Sequence, residues 1–329
     1  MAQGIVNGVA ERGLAGPRRA RYVVLTVVVF ALLLLVPVVS GMTARPYLLV
    51  LASRILVFAL AAVGLNLALG FGNMVSFGHA MYIGLGAYCV AIASHYGYDN
   101  GVVHLALTVG ITAIVATIVG YIVLRTRGIA FIMITLALAQ MLYYLALGLK
   151  QYGGDEGLTV HQLSNFGALT GNAFALYLSL LATLGVVLLL LARLIPSRFG
   201  LILRAASIDE RRVRAVGTAP TGYRLLAYVF SAVICGLAGY FLANLTSYAS
   251  PDYLNWMVSG DLIIMVLLGG MGTLVGPVVG AAAFLLMEIG LQAVTSHWLA
   301  PMGVIIVLIV LFLRNGIWSL ADLRGRRRR

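Results

Sequence analysis

The chain has 329 residues, of which 62% are hydrophobic and only 10% are charged, and its formal net charge is +12. Soluble domains carry roughly 25% charged residues, so this composition excludes an ordinary soluble protein and indicates an integral membrane protein. The basic residues cluster beside apolar runs and are not interleaved with aromatic residues. This pattern favours contact with an anionic membrane surface over nucleic-acid binding.

A helix that crosses the bilayer needs about 20 apolar residues. Ten segments are candidates: 22–40, 48–69, 78–96, 102–124, 129–148, 173–195, 223–247, 259–271, 273–295 and 299–314. The sequence therefore predicts an all-α, polytopic membrane protein with about ten transmembrane helices. Residues 22–314 form a single transmembrane domain, which follows a basic segment, 1–21, and precedes a basic tail, 315–329.

The arginines predict the orientation, because loops on the cytoplasmic side carry an excess of Lys and Arg. With ten crossings, Arg125, Arg127, the 196–222 loop and the C-terminal tail all fall on the same side as the N-terminus. Both termini are therefore expected in the cytoplasm. The acidic residues Asp99, Asp155, Glu156 and Asp252 fall on the outer side, where the longest polar connection is 149–172.

The first glycine-rich break in the apolar pattern occurs between the second and third candidate spans, and the second lies near residue 270. Glycines are poor helix formers, but a small-xxx-small spacing lets helix backbones approach closely. Gly70, Gly72 and Gly78 are expected to form a turn, and Ala80, Gly84, Gly272, Gly276 and Gly280 to form packing faces. Breaks in both halves of a transporter point to its central site, although ordinary helix packing explains the same glycines.

Polar residues inside the spans are candidates for a substrate path, because they are costly in lipid. The candidates are Asn66, Asn73, Ser76, His79, Gln140 and Glu288. The alternative for each is an interaction inside the helix bundle. The two asparagines flank the first break and are expected to satisfy backbone groups that the glycines free. Glu288 either contacts a substrate ammonium group or forms a pair within the bundle.

The inner loop, 196–222, is the most charged stretch of the chain. Ser207 and Glu210 have the spacing of a helix capping box, Glu210 and Arg214 form an i,i+4 pair, and Gly217 is a stop signal. A short helix over about Ile208–Val216 is predicted. It is either a solvated connector or a helix that docks on a cytosolic partner.

Five segments occur in an order that resembles one known family. They are "GLNLALGFGNMVSFGHAMYIGLGAY" (64–88), "RTRGIAFIMITLALAQMLYY" (125–144), "QYGGDEGL" (151–158), the loop at 204–217 and "LLGGMGTLVGPVVGA" (267–281). Together they look like the LivM-type permease subunits of branched-chain amino acid ABC importers. The resemblance extends from about residue 55 to 315.

The resemblance implies a subunit of a larger complex in the bacterial inner membrane. The expected partners are a LivH-type permease that completes a heterodimer, two cytosolic ATPase subunits and a periplasmic substrate-binding protein. ATP and Mg would bind to the ATPase subunits, and this chain would hold no cofactor, metal or catalytic residue. The expected substrates are branched-chain or other neutral amino acids, and related permeases carry urea or short amides.

The family's cytoplasmic loop carries a motif similar to E-A-A-x-x-x-G, which aligns here with Asp209–Gly217. Arg212 and Val213 stand where small residues are common, so the chain departs from the motif at those positions. The residues expected to couple to the ATPases are Ser207, Asp209, Glu210, Arg211, Arg214, Ala215 and Gly217.

Two other classes remain as alternatives. An ion-coupled secondary transporter needs several ionisable groups in the membrane, and only Glu288 and His79 qualify. A membrane-embedded enzyme needs a cluster of acids, bases or metal ligands, whereas the five histidines show no close paired spacing.

Overall fold

The structure, a computed structural model, describes residues 33, 37, 46–160, 163–165 and 173–312. The predicted basic segments at 1–21 and 315–329 lie outside the described residues, as does the predicted span 22–40 apart from Leu33 and Pro37. The chain divides into two compact units, Met1–Ala52 and Ser53–Arg329. The contacts discussed below belong to the second unit.

Most of the described chain is helical. The α-helices are α1 (Pro46–Asn66), α2 (His79–His95), α3 (Gly101–Val123), α4 (Ile129–Gly148), α5 (Ala173–Leu194), α6 (Arg198–Ile208), α7 (Glu210–Ala215), α8 (Pro220–Thr246), α9 (Trp256–Gly269), α10 (Gly276–Val294) and α11 (Leu299–Phe312). Two short strands, β1 (Leu158–Thr159) and β2 (Tyr248–Ala249), pair in antiparallel fashion. A π-helical turn, Leu67–Phe71, extends α1.

Six helices in the described part of the chain are long and apolar enough to cross a membrane. They are Tyr47–Phe71, Gly101–Val123, Ile129–Gly148, Ala173–Leu194, Pro220–Thr246 and Gly276–Val294. Helix α2 has 17 residues, and Trp256–Gly269 and Leu299–Ile309 are shorter apolar helices. Every predicted span from 48–69 onward coincides with a helix, and the fold is all-α. The number of about ten crossings stays a prediction.

Helices α2 and α8 form the centre of the bundle. Helix α2 is apolar on every face, as expected for a helix surrounded by other helices, and 14 of its 17 residues are buried. It packs mainly against α8, which also contacts α3, while α9 packs against α10. Glycines allow the α2 and α8 backbones to touch, because a Cβ on Gly86 would overlap the carbonyl oxygen of Gly236.

The loops lie at two ends of the bundle. Residues 124–128 and 195–219 form one end, called here the arginine-rich end, and the π-helical turn after α1 contacts α6 there. Residues 96–100, 149–160 and 247–255 form the opposite end. Its loops are tied together by the pairing of Leu158 with Ala249 and by a 3.0 Å hydrogen bond between the hydroxyls of Tyr96 and Tyr152. The described part of the 149–172 connection is therefore ordered.

Candidate functional site

The charged loop at the arginine-rich end contains two helices, α6 and α7, where the sequence predicts one. The prediction of a helix that starts at Ile208 with Ser207 as its cap is wrong. Ser207 Oγ donates to the carbonyl of Arg204 inside α6, and Ile208 is the last residue of that helix. Asp209 takes the cap position because its extended backbone (φ −152°, ψ 102°) lets Oδ1 accept from the N–H of Arg211 at 2.9 Å.

Glu210, the first residue of α7, is the buried anchor of this loop. Three arginines form salt bridges with its carboxylate: Arg214 at 2.6 Å, Arg127 at 2.5 Å and Arg224 at 3.2 Å. The pair with Arg214 confirms the predicted i,i+4 contact. The other two arginines come from the α3–α4 connection and from the first turns of α8. Sequence reasoning missed them, because no local spacing signals a contact between distant segments.

Most of the remainder of α7 is exposed around this anchor. Ile208 and Val216, which flank α7, are 88% and 84% exposed. Arg211, Arg214 and Ala215 are exposed as well, and Gly217 ends the helix in a left-handed conformation (φ +84°). An open depression lined by Arg214 and residues 217–221 lies beside it. The loop thus presents apolar side chains and positive charge on a helix that is held in place by ion pairs.

The two glycine-rich breaks touch each other at the arginine-rich end. A Cβ on Gly70 would come within 2.5 Å of the backbone nitrogen of Gly272. Asn66 connects the same two segments, since its Nδ2 donates to the carbonyl of Thr273 at 2.7 Å and its Oδ1 accepts from the N–H of Gly272 at 3.0 Å. Both the oxygen and the nitrogen of this buried side-chain amide therefore form hydrogen bonds with backbone groups in the turn that follows α9.

The start of α2 explains why polar residues follow the first break. The first N–H groups of a helix have no partner within it. Here side-chain oxygens provide the acceptors. Ser76 Oγ accepts from Gly78 N at 3.2 Å, and Thr135 Oγ1 accepts from Phe77 N at 3.2 Å. Ser259 Oγ accepts from Ala80 N at 2.8 Å. Thr135 belongs to α4 and Ser259 to α9, so three segments meet at this helix terminus. Neither residue was identified from the sequence.

His79 lies inside the bundle and is fully buried. Its Nε2 is 2.8 Å from Ser231 Oγ, whose hydroxyl donates to the carbonyl of Gly64 at 2.6 Å. Since that proton is used on Gly64, Nε2 must be the donor and Nδ1 the unprotonated nitrogen. The rings of Tyr82 and Tyr228 pack edge-on against the imidazole. Of the two sequence hypotheses, this geometry favours a helix–helix contact over a path-lining group.

The remaining path candidates do not converge on His79. Asn73 is exposed and adopts a left-handed conformation (φ +51°) in the turn, and Gln140 is half-buried on α4. Glu288 lies on α10, where it forms a 3.7 Å salt bridge with Arg54. The structure thus places Asn66, Ser76 and His79 in buried positions near the breaks, and Glu288 in an ion pair elsewhere in the bundle.

Three of the predicted packing glycines lie at close contacts, whereas Gly272 lies in the turn between α9 and α10 with φ +71°. Gly84 on α2 faces Leu254, whereas Gly276 and Gly280 on α10 face the backbone of α9 at Gly269 and Met265. A side chain at any of these positions would overlap its neighbour. Gly276 and Gly280 therefore account for the close packing of α10 on α9.

Comparison with known proteins agrees with this architecture. A family described as "Branched-chain amino acid transport system / permease component" matches residues 47–313. The high-affinity branched-chain amino acid transport system permease protein LivM of Salmonella typhimurium strain LT2 is 24% identical over 293 residues, covering 81% of this chain and 69% of the relative. LivM of Escherichia coli strain K12 matches with the same identity and coverage. No solved structure matches significantly.

The family match begins at the start of α1 and ends beyond α11. It therefore includes both glycine-rich breaks, the salt-bridged loop around Glu210 and the charged pair on α1 and α10. Since it covers well over half of the chain, the protein belongs to the family of branched-chain amino acid transport permease components.

Proposed function

We propose that the chain is a transmembrane permease subunit of an ATP-binding-cassette importer for branched-chain or other neutral amino acids. It pairs with a LivH-type permease to form the translocation path. A periplasmic binding protein delivers the substrate, and two cytosolic ATPase subunits bind ATP and Mg and drive transport. The family match and the similarity to LivM support this assignment.

The proposal places the protein in the bacterial inner membrane with about ten crossings and both termini in the cytoplasm. The arginine-rich end then faces the cytoplasm, where the ATPases are. The bias of arginines toward this end supports that orientation. The opposite end, with Asp99, Asp155, Glu156 and Asp252, faces the binding protein.

The observation that carries the proposal is the anchored loop around α7. A segment that transmits force must be rigid where it meets the membrane domain and accessible where it meets its partner. Glu210 supplies the first property through its three arginines, and the exposed Ile208 and Val216 supply the second. Burying these two exposed apolar side chains against a partner would contribute to binding.

Substitution of these two residues tests the docking surface. In the double variant Ile208→Ser/Val216→Ser, recovery of the ATPases with the affinity-purified permease should fall about tenfold, which corresponds to about 1.4 kcal/mol of binding energy. The substitutions remove exposed side chains, so folding should be preserved. Val294→Ser is the matched control, because Val294 is 83% exposed but lies at the opposite end. Wild-type recovery of the ATPases with the double variant would refute the docking surface.

Uptake in proteoliposomes separates the proposed importer from an ion-coupled transporter. The complete complex should accumulate leucine, isoleucine or valine only with ATP inside and binding protein outside. Uptake by the two permeases alone, driven by an ion gradient, would contradict the proposal. A panel that includes urea and short amides distinguishes the substrate classes.

A further inference from the structure

A charged cluster crosses three helices away from the glycine-rich breaks. Arg54 on α1 lies 3.7 Å from Glu288 on α10, and Gln292 Nε2 donates to Glu288 Oε1 at 3.2 Å. Asp261 lies on α9, which packs against α10. The side chain of Arg54 is 47% exposed, and that of Glu288 is 14% exposed. We call Arg54, Asp261 and Glu288 the charged triad.

All three residues lie in the half of their helix that is farther from the breaks. Arg54 is eight residues after the start of α1, Asp261 is five after the start of α9 and Glu288 is six before the end of α10. With a rise of 1.5 Å per residue, they lie about 12, 8 and 9 Å inside their helices. The other ends of these helices meet at the breaks, so all three distances are measured from the opposite end of the bundle.

Lipid is a poor environment for this triad. A charged side chain inside a membrane-spanning helix faces the bundle interior or a water-filled cavity, because exposure to hydrocarbon is costly. The half-exposed guanidinium of Arg54 therefore needs water or another polar partner on its open side. In the proposed importer, the water-accessible surface at this depth is the translocation path between the two permeases.

The triad has one positive and two negative groups, which leaves binding capacity for both charges of an amino acid. At 3.7 Å, Arg54 and Glu288 form an ion pair without a direct hydrogen bond, so the hydrogen-bonding groups of the guanidinium are not used on that carboxylate. An arginine fork can bind a carboxylate through two parallel hydrogen bonds. Among the described residues, Asp261 has no basic side chain within ion-pair distance, so its carboxylate is available to a cation.

We propose that the charged triad is a subsite for the zwitterionic end of an amino acid in transit. Arg54 binds the α-carboxylate, and Asp261 and Glu288 bind the α-ammonium group. This inference rests on the proposed function and adds a recognition site to it. The subsite selects for free amino acids, since urea and simple amides lack both charges.

Equilibrium binding of tritiated leucine to the permease heterodimer in nanodiscs tests the subsite. The variants Arg54→Gln, Asp261→Asn and Glu288→Gln should each raise the dissociation constant about tenfold or more. Glu156→Gln is the control, because it removes an exposed acid outside the triad and should leave binding unchanged. Dissociation constants within twofold of wild type in all three triad variants would overturn the proposal.

The double variant Arg54→Gln/Glu288→Gln separates ligand binding from internal pairing. If the two groups only neutralise each other, the double variant recovers what either single variant loses. If they hold opposite ends of leucine, the double variant binds more weakly than either single variant. Recovery of binding, or loss of the partner permease from the purified variants, would overturn the subsite. If the triad variants transport leucine with ATP as well as the wild-type complex does, the subsite proposal is wrong and the proposed function stands.

Discussion

Glu210 shows how one buried carboxylate fixes the position of an otherwise exposed helix. Its three arginine partners come from α7, from the α3–α4 connection and from α8. Removing one partner of a buried ion pair usually costs more than the pair itself contributes, because the remaining charges lose their compensation. Here the loss would leave three positive charges close together.

The variant Glu210→Gln should therefore loosen α7 without unfolding the bundle. Because Arg127 and Arg214 are largely exposed, we expect a moderate loss of about 2 kcal/mol in local stability. That loss corresponds to about thirtyfold faster amide hydrogen exchange in peptides that cover residues 205–220. Arg211→Gln, on the exposed side of the same helix, should change exchange by less than about twofold. Equal protection in both variants would show that the ion pairs do not hold the loop.

Several residues were predicted from sequence because their roles are local. The expected pairing of Glu210 with Arg214 depends only on helix spacing and is present. Asn66 was expected to satisfy freed backbone groups, but the sequence could not indicate that those groups belong to Gly272 and Thr273. The contacts of Thr135 and Ser259 at the start of α2 could not be predicted from the sequence, because a hydroxyl residue gives no sign of its long-range partner.

At the scale of elements, the positions of the helices follow closely from hydropathy. The predicted span 129–148 coincides with α4, and the predicted span 102–124 is shifted from α3 by one residue at each end. The loop helix was less predictable, since Ser207 and Asp209 are both good caps and only the backbone conformation decides between them. The Gly86–Gly236 contact was missed, because many glycines share such spacings and only some lie between helices.

Helix packing gives a direct test at that contact. Gly86→Ala places a methyl group against the carbonyl of Gly236, so α2 and α8 must separate. We expect a loss of about 2 kcal/mol in stability, measured as a lower apparent melting temperature by fluorescence-detected size-exclusion chromatography. Gly110→Ala is the matched control, because its added Cβ meets no atom within 4 Å. It should be neutral or stabilising by up to about 1 kcal/mol.

A melting temperature for Gly86→Ala at or above that of Gly110→Ala would show that the two backbones are not in contact. The comparison is informative because both substitutions make the same chemical change within a helix. They differ in the space around the added methyl group.

For the molecule as a whole, orientation is the main prediction to test. The two native cysteines, Cys89 and Cys235, are buried, so the folded wild-type chain should react little with a membrane-impermeant maleimide. In permease produced without the ATPases, Ile208→Cys at the arginine-rich end should be labelled only from the cytoplasmic side. Tyr98→Cys, at an exposed position of the opposite end, should be labelled only from outside. Intact spheroplasts and inverted vesicles provide the two directions of access.

Labelling of both variants from one side would contradict an arrangement with two ends on opposite faces of the membrane. Labelling from the reversed sides would contradict the arginine-based orientation. Reaction of the wild-type chain in the folded state would contradict the burial of the native cysteines.

Helix α8 has a mechanical consequence for the whole protein. Its 27 residues form a rod of about 40 Å, which begins at Pro220 beside the Glu210 ion pairs and ends where β2 pairs with β1. If such a rod tilts by about 5° around its midpoint, each tip moves by about 2 Å, and the two tips move in opposite directions. A displacement of α7 that tilted α8 in this way would move the loops at the opposite end of the bundle in the opposite direction.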